Sequence, residues 1–178
     1  SYGSIVALHY ATKYQDLKKL ILLAGATSFR ALEKAKANLK SLGNSEQIKM
    51  GEKLFEGQFK TQEDLKEYYS IMMPLYIRKP AQNTVPAAIK KPIPYNVELF
   101  SYGSRSFLRT FDFQKDLGKV LCSTLIMFGK DDWINDPSEG EIMARFIPNS
   151  KLAIFDDCGH FIWQDQPELF YKTLESFL

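Results

Sequence analysis

The sequence predicts an α/β fold: a mostly parallel sheet with a block of helices inserted between two of its strands. Three observations predict it. Apolar runs of strand length recur at 19–24, 123–129 and 151–155. Each lies beside a segment with helical character, and strands that alternate with helices form parallel sheets covered on both faces. The stretch between the first and second run has no strand signal. It holds twelve Lys and Arg against seven Asp and Glu over residues 30–91, while the rest of the chain holds eleven against fourteen.

In chain order, Gly3 to Lys13 is expected to be a helix, with Ile5, Val6, Leu8, His9 and Ala11 in a stretch free of interior Pro and Gly. Lys19 to Ala24 is a continuous apolar run closed by Gly25, the pattern of a strand buried on both faces. Three helices follow at about 30–42, 45–57 and 62–78. Thr61 with Asp64 three residues on marks the start of the third as a capping box, and Leu65, Tyr68, Tyr69, Met72 and Met73 form its apolar stripe. Prolines at 74, 80, 86, 92 and 94 then predict turns and extended chain. Strand character returns at Ser123 to Gly129 and at Lys151 to Phe155. The helix between them runs from Pro137 to Phe146, with Asp136 at its N-cap. A last helix, Pro167 to Leu178, places Phe170, Leu174, Phe177 and Leu178 on one buried face. The domain boundaries that result are 1–29 and 105–178 for the sheet-bearing core and 30–104 for the helical insertion.

Composition narrows the function classes. The 178 residues are 45% hydrophobic and 25% charged, ordinary for a folded globular chain. A net charge of +2 gives no reason to expect a nucleic-acid partner. The longest apolar run, Leu20 to Ala26, is too short to span a bilayer, so no membrane partner is expected. Cys122 and Cys158 do not make a disulfide framework, and with two histidines no zinc cluster can be built around them. No metal and no cofactor are expected. Two free, mostly buried thiols fit a reducing, cytoplasmic compartment.

Two histidines make the search for a general base short. His9 sits mid-helix and is expected to pack there. His160 follows a predicted strand in Asp156-Asp157-Cys158-Gly159-His160, and active-site residues of open α/β sheets lie at the carboxyl ends of strands. Gly129-Lys130-Asp131-Asp132 also follows a strand and offers a carboxylate to orient the imidazole. Ser1-Tyr2-Gly3 matches the last three positions of Gly-x-Ser-x-Gly, the strand-to-helix turn that exposes a nucleophilic serine. The order Ser, Asp, His, with each residue at a strand end, is the order that this elbow requires.

These residues carry a resemblance. From Ser1-Tyr2-Gly3-Ser4, through Phe128-Gly129-Lys130-Asp131-Asp132, to Asp157-Cys158-Gly159-His160, the chain resembles the α/β-hydrolase superfamily, and within it the proline iminopeptidase group. The resemblance implies a catalytic triad of Ser1, Asp132 (rather than Asp131) and His160, with the Tyr2 backbone N–H as one oxyanion donor. It implies that residues 30–104 form the cap that this family inserts between two sheet strands. It implies release of an N-terminal prolyl residue from a small peptide, whose α-amine would need a carboxylate from the cap side; Glu67 and Glu98 are the candidates. Ser4 stands where the family usually has a second glycine.

An esterase or lactonase with the same triad is the alternative. Two rivals differ in kind: an N-terminal nucleophile using its own α-amine as base, and a non-catalytic fragment. A chain that starts at the elbow serine is expected to be one piece of a larger protein, to need the preceding part of the sheet, and to leave an apolar strand edge open.

Overall fold

A computed structural model describes residues 1–79 and 95–178. Its elements are α1 (Tyr2–Lys13), β1 (Lys19–Leu23), α2 (Ala31–Leu42), α3 (Ser45–Phe55), α4 (Gln62–Tyr76), α5 (Val97–Arg105), β2 (Ser123–Gly129), α6 (Ser138–Phe146), β3 (Ser150–Phe155), α7 (Ile162–Asp165) and α8 (Pro167–Phe177), with 3-10 turns at Phe107–Arg109 and Gln114–Lys119. The strands form one sheet in the order β1-β2-β3, all parallel, with Leu22 opposite Ile126 and Ile126 opposite Leu152.

Strand β2 is the middle strand, and Thr124 through Gly129 are all buried. Ile126 and Phe128 pack with Ile5 and Leu8 of α1, Leu117 and Met143 on one face. Leu125 and Met127 pack with Phe155, Ile162 and Phe170 on the other. A strand clad by helices on both faces has no polar side to alternate, which explains its continuous apolar run. Strand β1 pairs only with β2 among the described residues.

The helices α2–α5 gather around a separate apolar cluster. Ala35, Leu39, Met50, Leu54, Leu65, Tyr68 and Met72 are its buried members, and Trp133 reaches into it from the sheet side. Helix α4 begins on the Thr61–Asp64 capping box, with each side chain bonded to the other residue's backbone N–H. Helix α3 ends earlier than expected because Gly57, at φ +58°, turns the chain. The N–H groups of Gly57 and Gln58 donate to the carbonyls of Leu54 and Lys53, a Schellman closure that needs the left-handed residue. A Cβ on Gly57 would also stand 2.3 Å from the Ser101 carbonyl.

Three expectations change. Pro74 does not open an extended tail: it lies in the last turn of α4, where its missing N–H forfeits only a bond to the exposed Ser70. The other four prolines of that expectation, at 80, 86, 92 and 94, lie outside the described residues. Helix α5 was not expected, because its inward positions are Ser101 and Ser104 rather than large apolar residues, and they hid the helical period. Its start was readable in Asn96, whose side chain accepts the Leu99 N–H at 2.9 Å. On α8 only Phe170 is buried; Leu178 lies beyond the helix end and is 71% exposed. No helix among the described residues is long and apolar enough to cross a membrane.

Candidate active site

The carboxyl ends of all three strands meet at one edge of the sheet; Asp132 follows β2, His160 follows β3, and Ser1 lies beside the end of β1. Asp132 sits in the turn after β2, its Oδ1 accepting the backbone N–H groups of Ile134 and Asn135, each at 3.0 Å. This turn fixes the carboxylate's rotamer and leaves Oδ2 free to face His160 Nδ1 at 2.7 Å. Both side chains are out of water, at 0% and 6% exposure. An aspartate on Nδ1 holds the proton there and leaves Nε2 as the base. Nε2 has no hydrogen-bond partner among the described residues.

The neighbouring Asp131 does different work. Its backbone N–H donates to the Cys158 carbonyl at 2.8 Å, its Oδ2 accepts the Cys158 N–H at 3.1 Å, and Arg78 lies 3.8 Å away. Asp131 therefore ties the acid loop to the histidine loop, and Asp132 faces the ring. Gly129 lets the two loops touch: a Cβ there would stand 2.0 Å from the Gly159 carbonyl oxygen and 2.4 Å from that of Cys158. Gly129→Ala is expected to cost roughly 1–3 kcal/mol or more of stability and to part Asp132 from His160. Urea unfolding and labelling with a serine-directed phosphonate would check both effects; a variant unchanged in both would show that the loops do not need this contact.

Ser1 is the N-cap of α1, at the sheet edge beside β1. Its backbone nitrogen donates to the Leu23 carbonyl at 2.7 Å, which holds Ser1 at the end of β1. Ser4 Oγ bonds both the N–H and the carbonyl of Leu23, at 2.8 and 2.9 Å. This explains a serine where the resembling family has glycine: the hydroxyl pins the first turn of α1 to the end of β1. The close fit is completed by Gly25, where a Cβ would stand 2.7 Å from Ser4 Cβ.

The structure joins Asp132 to His160 but puts no hydrogen bond between Ser1 and His160. Ser1 Oγ instead accepts from Asn135 Nδ2 at 3.3 Å. That amide also donates to the carbonyl of Ala24, at 2.6 Å, and Ala24 takes a left-handed φ of +43°, a conformation costly for alanine. Asn135 thus links the acid loop to the serine, and the sequence reading missed it. Its signal was its place three residues after Asp132, within reach of the same turn. The Tyr2 N–H lies at the start of α1 and has no acceptor among the described residues, as the first N–H groups of a helix usually have none.

Beside Asn135 opens a cavity of about 110 Å³ between α1 and the helical layer. Ile5, Ala26, Leu32, Leu54, Phe111 and Ile134 are among its walls, and Ser28, Ser104 and Asn135 are its polar members. Among the described residues, no charged side chain lines it. Glu67, on α4, and Glu98, in the first turn of α5, are exposed and are not part of the lining. His9 packs tilted on Phe113, ring centroids 4.5 Å apart, as expected of a packing residue. Both cysteines are free, Cys158 buried and Cys122 partly so. Burial pushes the Cys158 thiol up to about 12, with Asp165, Asp132 and Asp131 adding to it, so it is a poor nucleophile although it lies two residues from His160.

The sequence profile described as the alpha/beta hydrolase fold matches residues 1–167. The chain belongs to the α/β-hydrolase fold family. A proline iminopeptidase of Pestalotiopsis fici is 25% identical over the whole chain, and the chain spans 64% of that relative's length. A monoacylglycerol lipase of Rattus norvegicus is 28% identical over 58% of the chain and 32% of its own length. Among solved structures, an α/β fold hydrolase of Bacillus anthracis superposes with a TM-score of 0.76 at 21% identity, covering 99% of this chain and 64% of that one. The expected fold and family are therefore correct, and hydrolase chemistry is what the family supports.

Proposed function

We propose that Ser1, His160 and Asp132 form the triad of a serine hydrolase, and that residues 30–104 act as the cap over it. The observation that carries this is the buried Asp132–His160 pair at 2.7 Å, with the unpartnered Nε2 at the same sheet edge as Ser1. His160 Nε2 takes the Ser1 hydroxyl proton as Oγ bonds to the substrate's carbonyl carbon. The oxyanion that forms accepts from the Tyr2 N–H, strengthened by the positive end of α1. The imidazolium returns the proton to the leaving group as its bond to carbon breaks. Water, deprotonated by the same nitrogen, then releases the acyl group and restores Ser1.

The uncharged lining of the cavity beside Asn135 supports an ester of an apolar acyl group as the substrate. The whole-chain similarity to a proline iminopeptidase supports a second reading, release of an N-terminal prolyl residue. That reading needs a carboxylate for the substrate's α-amine, and neither Glu67 nor Glu98 lines the cavity. The test is turnover by the complete protein of p-nitrophenyl esters of two to eight carbons beside a prolyl amide. The expected result is ester hydrolysis that improves with acyl length until the cavity is full. Prolyl-amide turnover with no ester preference would reverse the choice of substrate and leave the triad standing.

A further inference from the structure

Asp165 is a buried carboxylate that the triad does not use. It lies five residues after His160, at the end of α7, and is 3% exposed. Its Oδ2 accepts the Gly159 N–H at 2.7 Å, from the residue before the histidine. The same carboxylate accepts the Lys79 N–H at 2.8 Å and the Arg78 N–H at 3.0 and 3.1 Å to its two oxygens. Arg78 and Lys79 follow directly on the end of α4, in the helical layer. Three backbone donors from two separate segments thus converge on one side chain.

Other contacts tighten the same seam. The His160 N–H donates to the Tyr76 carbonyl at 2.8 Å, and the Tyr76 ring meets the imidazole edge-on with centroids 5.5 Å apart. A Cβ on Gly159 would stand 2.4 Å from the Tyr76 carbonyl oxygen, so the histidine loop lies flush against the end of α4. At the rim, Lys79 pairs with Asp157 at 3.3 Å. The imidazole is thus placed from two sides, by Asp132 on its ring and by the end of α4 on its backbone.

We propose that Asp165 is a positioning residue: it clamps the end of α4 to the histidine loop, so that the helical layer and the catalytic imidazole form one unit. This rests on the triad proposed above. The carboxylate satisfies three N–H groups that have no other acceptor among the described residues. An asparagine keeps the shape, but it replaces one acceptor oxygen by an NH2 that opposes a backbone donor. The loop then shifts, and a shift of about 1 Å at a base costs up to about 100-fold in rate.

The experiment compares wild type, Asp165→Asn and Asp165→Glu in the complete protein, on the best ester of the panel, with folded protein counted by phosphonate titration. The expected result is a kcat for Asp165→Asn lowered about 10- to 100-fold per titrated site, KM within about twofold, and partial recovery of kcat in Asp165→Glu. A variant that loses thermal stability but keeps the wild-type kcat per titrated site would overturn the proposal and leave Asp165 a structural anchor alone. If wild type neither turns over ester nor takes the phosphonate, the triad itself fails, an outcome distinct from equal activity in wild type and Asp165→Asn.

Discussion

Ser1→Ala in the complete protein is expected to lower kcat on every acyl substrate by roughly a millionfold, the scale seen when the nucleophile of a triad is removed. The expected loss is this large because neither Ser4, the next serine in the chain, nor Cys158, the thiol near His160 in the chain, is placed to take over the acyl bond. Ser4 Oγ is engaged with Leu23, and the Cys158 thiol is buried and held protonated. His160→Ala is expected to cost a similar factor, and the double variant little more, since the members of a triad fail as a unit. Steady-state rates on an ester and on a prolyl amide, beside phosphonate labelling, check this. Turnover retained by Ser1→Ala would remove Ser1 from the chemistry, whatever the substrate.

Asp132→Asn is expected to lower kcat by about 10⁴-fold while leaving the thermal midpoint close to that of wild type. The amide oxygen can still accept from the Ile134 and Asn135 N–H groups, so the turn survives. Its NH2, however, would face His160 Nδ1 where an acceptor now stands at 2.7 Å. The ring must then carry its proton on Nε2, the nitrogen that should receive one from Ser1. Asp131→Asn is the matched control. Its carboxylate is 40% exposed and holds loops rather than the ring, so its expected effect is a modest loss of stability with kcat within about tenfold. Equal losses in the two variants would mean that the acid had been assigned to the wrong residue.

Much of this architecture could be read from local pattern. Strand β2 announced itself because a strand covered on both faces is apolar throughout, and β1 and β3 did so by short apolar runs although Lys19, Lys151 and Ile154 are exposed. The capping box at Thr61 and Asp64 marked the start of α4, because two side chains there close on two backbone donors that would otherwise lack partners. Pattern failed where burial uses small or polar side chains. Helix α5 turns Ser101 and Ser104 inward, and the Ser101 hydroxyl donates to the Phe59 carbonyl at 2.8 Å, so no apolar stripe marked it. The end of α3 was misplaced by two residues because its stop depends on the conformation of Gly57.

The candidate site divides in the same way. Order along the chain pointed to Ser1, to the Asp131-Asp132 pair and to His160 as candidates, and the family resemblance implied Asp132 rather than Asp131. Asn135, Asp165 and Tyr76 were passed over, because what they touch lies far away in sequence: Ala24 and Ser1 for Asn135, Arg78 and Lys79 for Asp165, the backbone of His160 for Tyr76. Glu67 and Glu98 show the opposite limit. Both were plausible by type and by place in the chain, yet both face water, because the inner faces of α4 and α5 are taken by Leu65, Tyr68, Met72, Ser101 and Ser104.

The sequence alone therefore settled the fold class, the strand-to-helix order and the two strand-end loops that carry the acid and the histidine, since local hydrophobic period and turn chemistry are written residue by residue. Only the folded chain decided which carboxylate meets the imidazole, what holds the histidine loop in place and that the described lining of the cavity beside Asn135 is uncharged. Each of these depends on groups far apart in the chain meeting within about 3 Å, a distance that packing sets and periodicity does not encode.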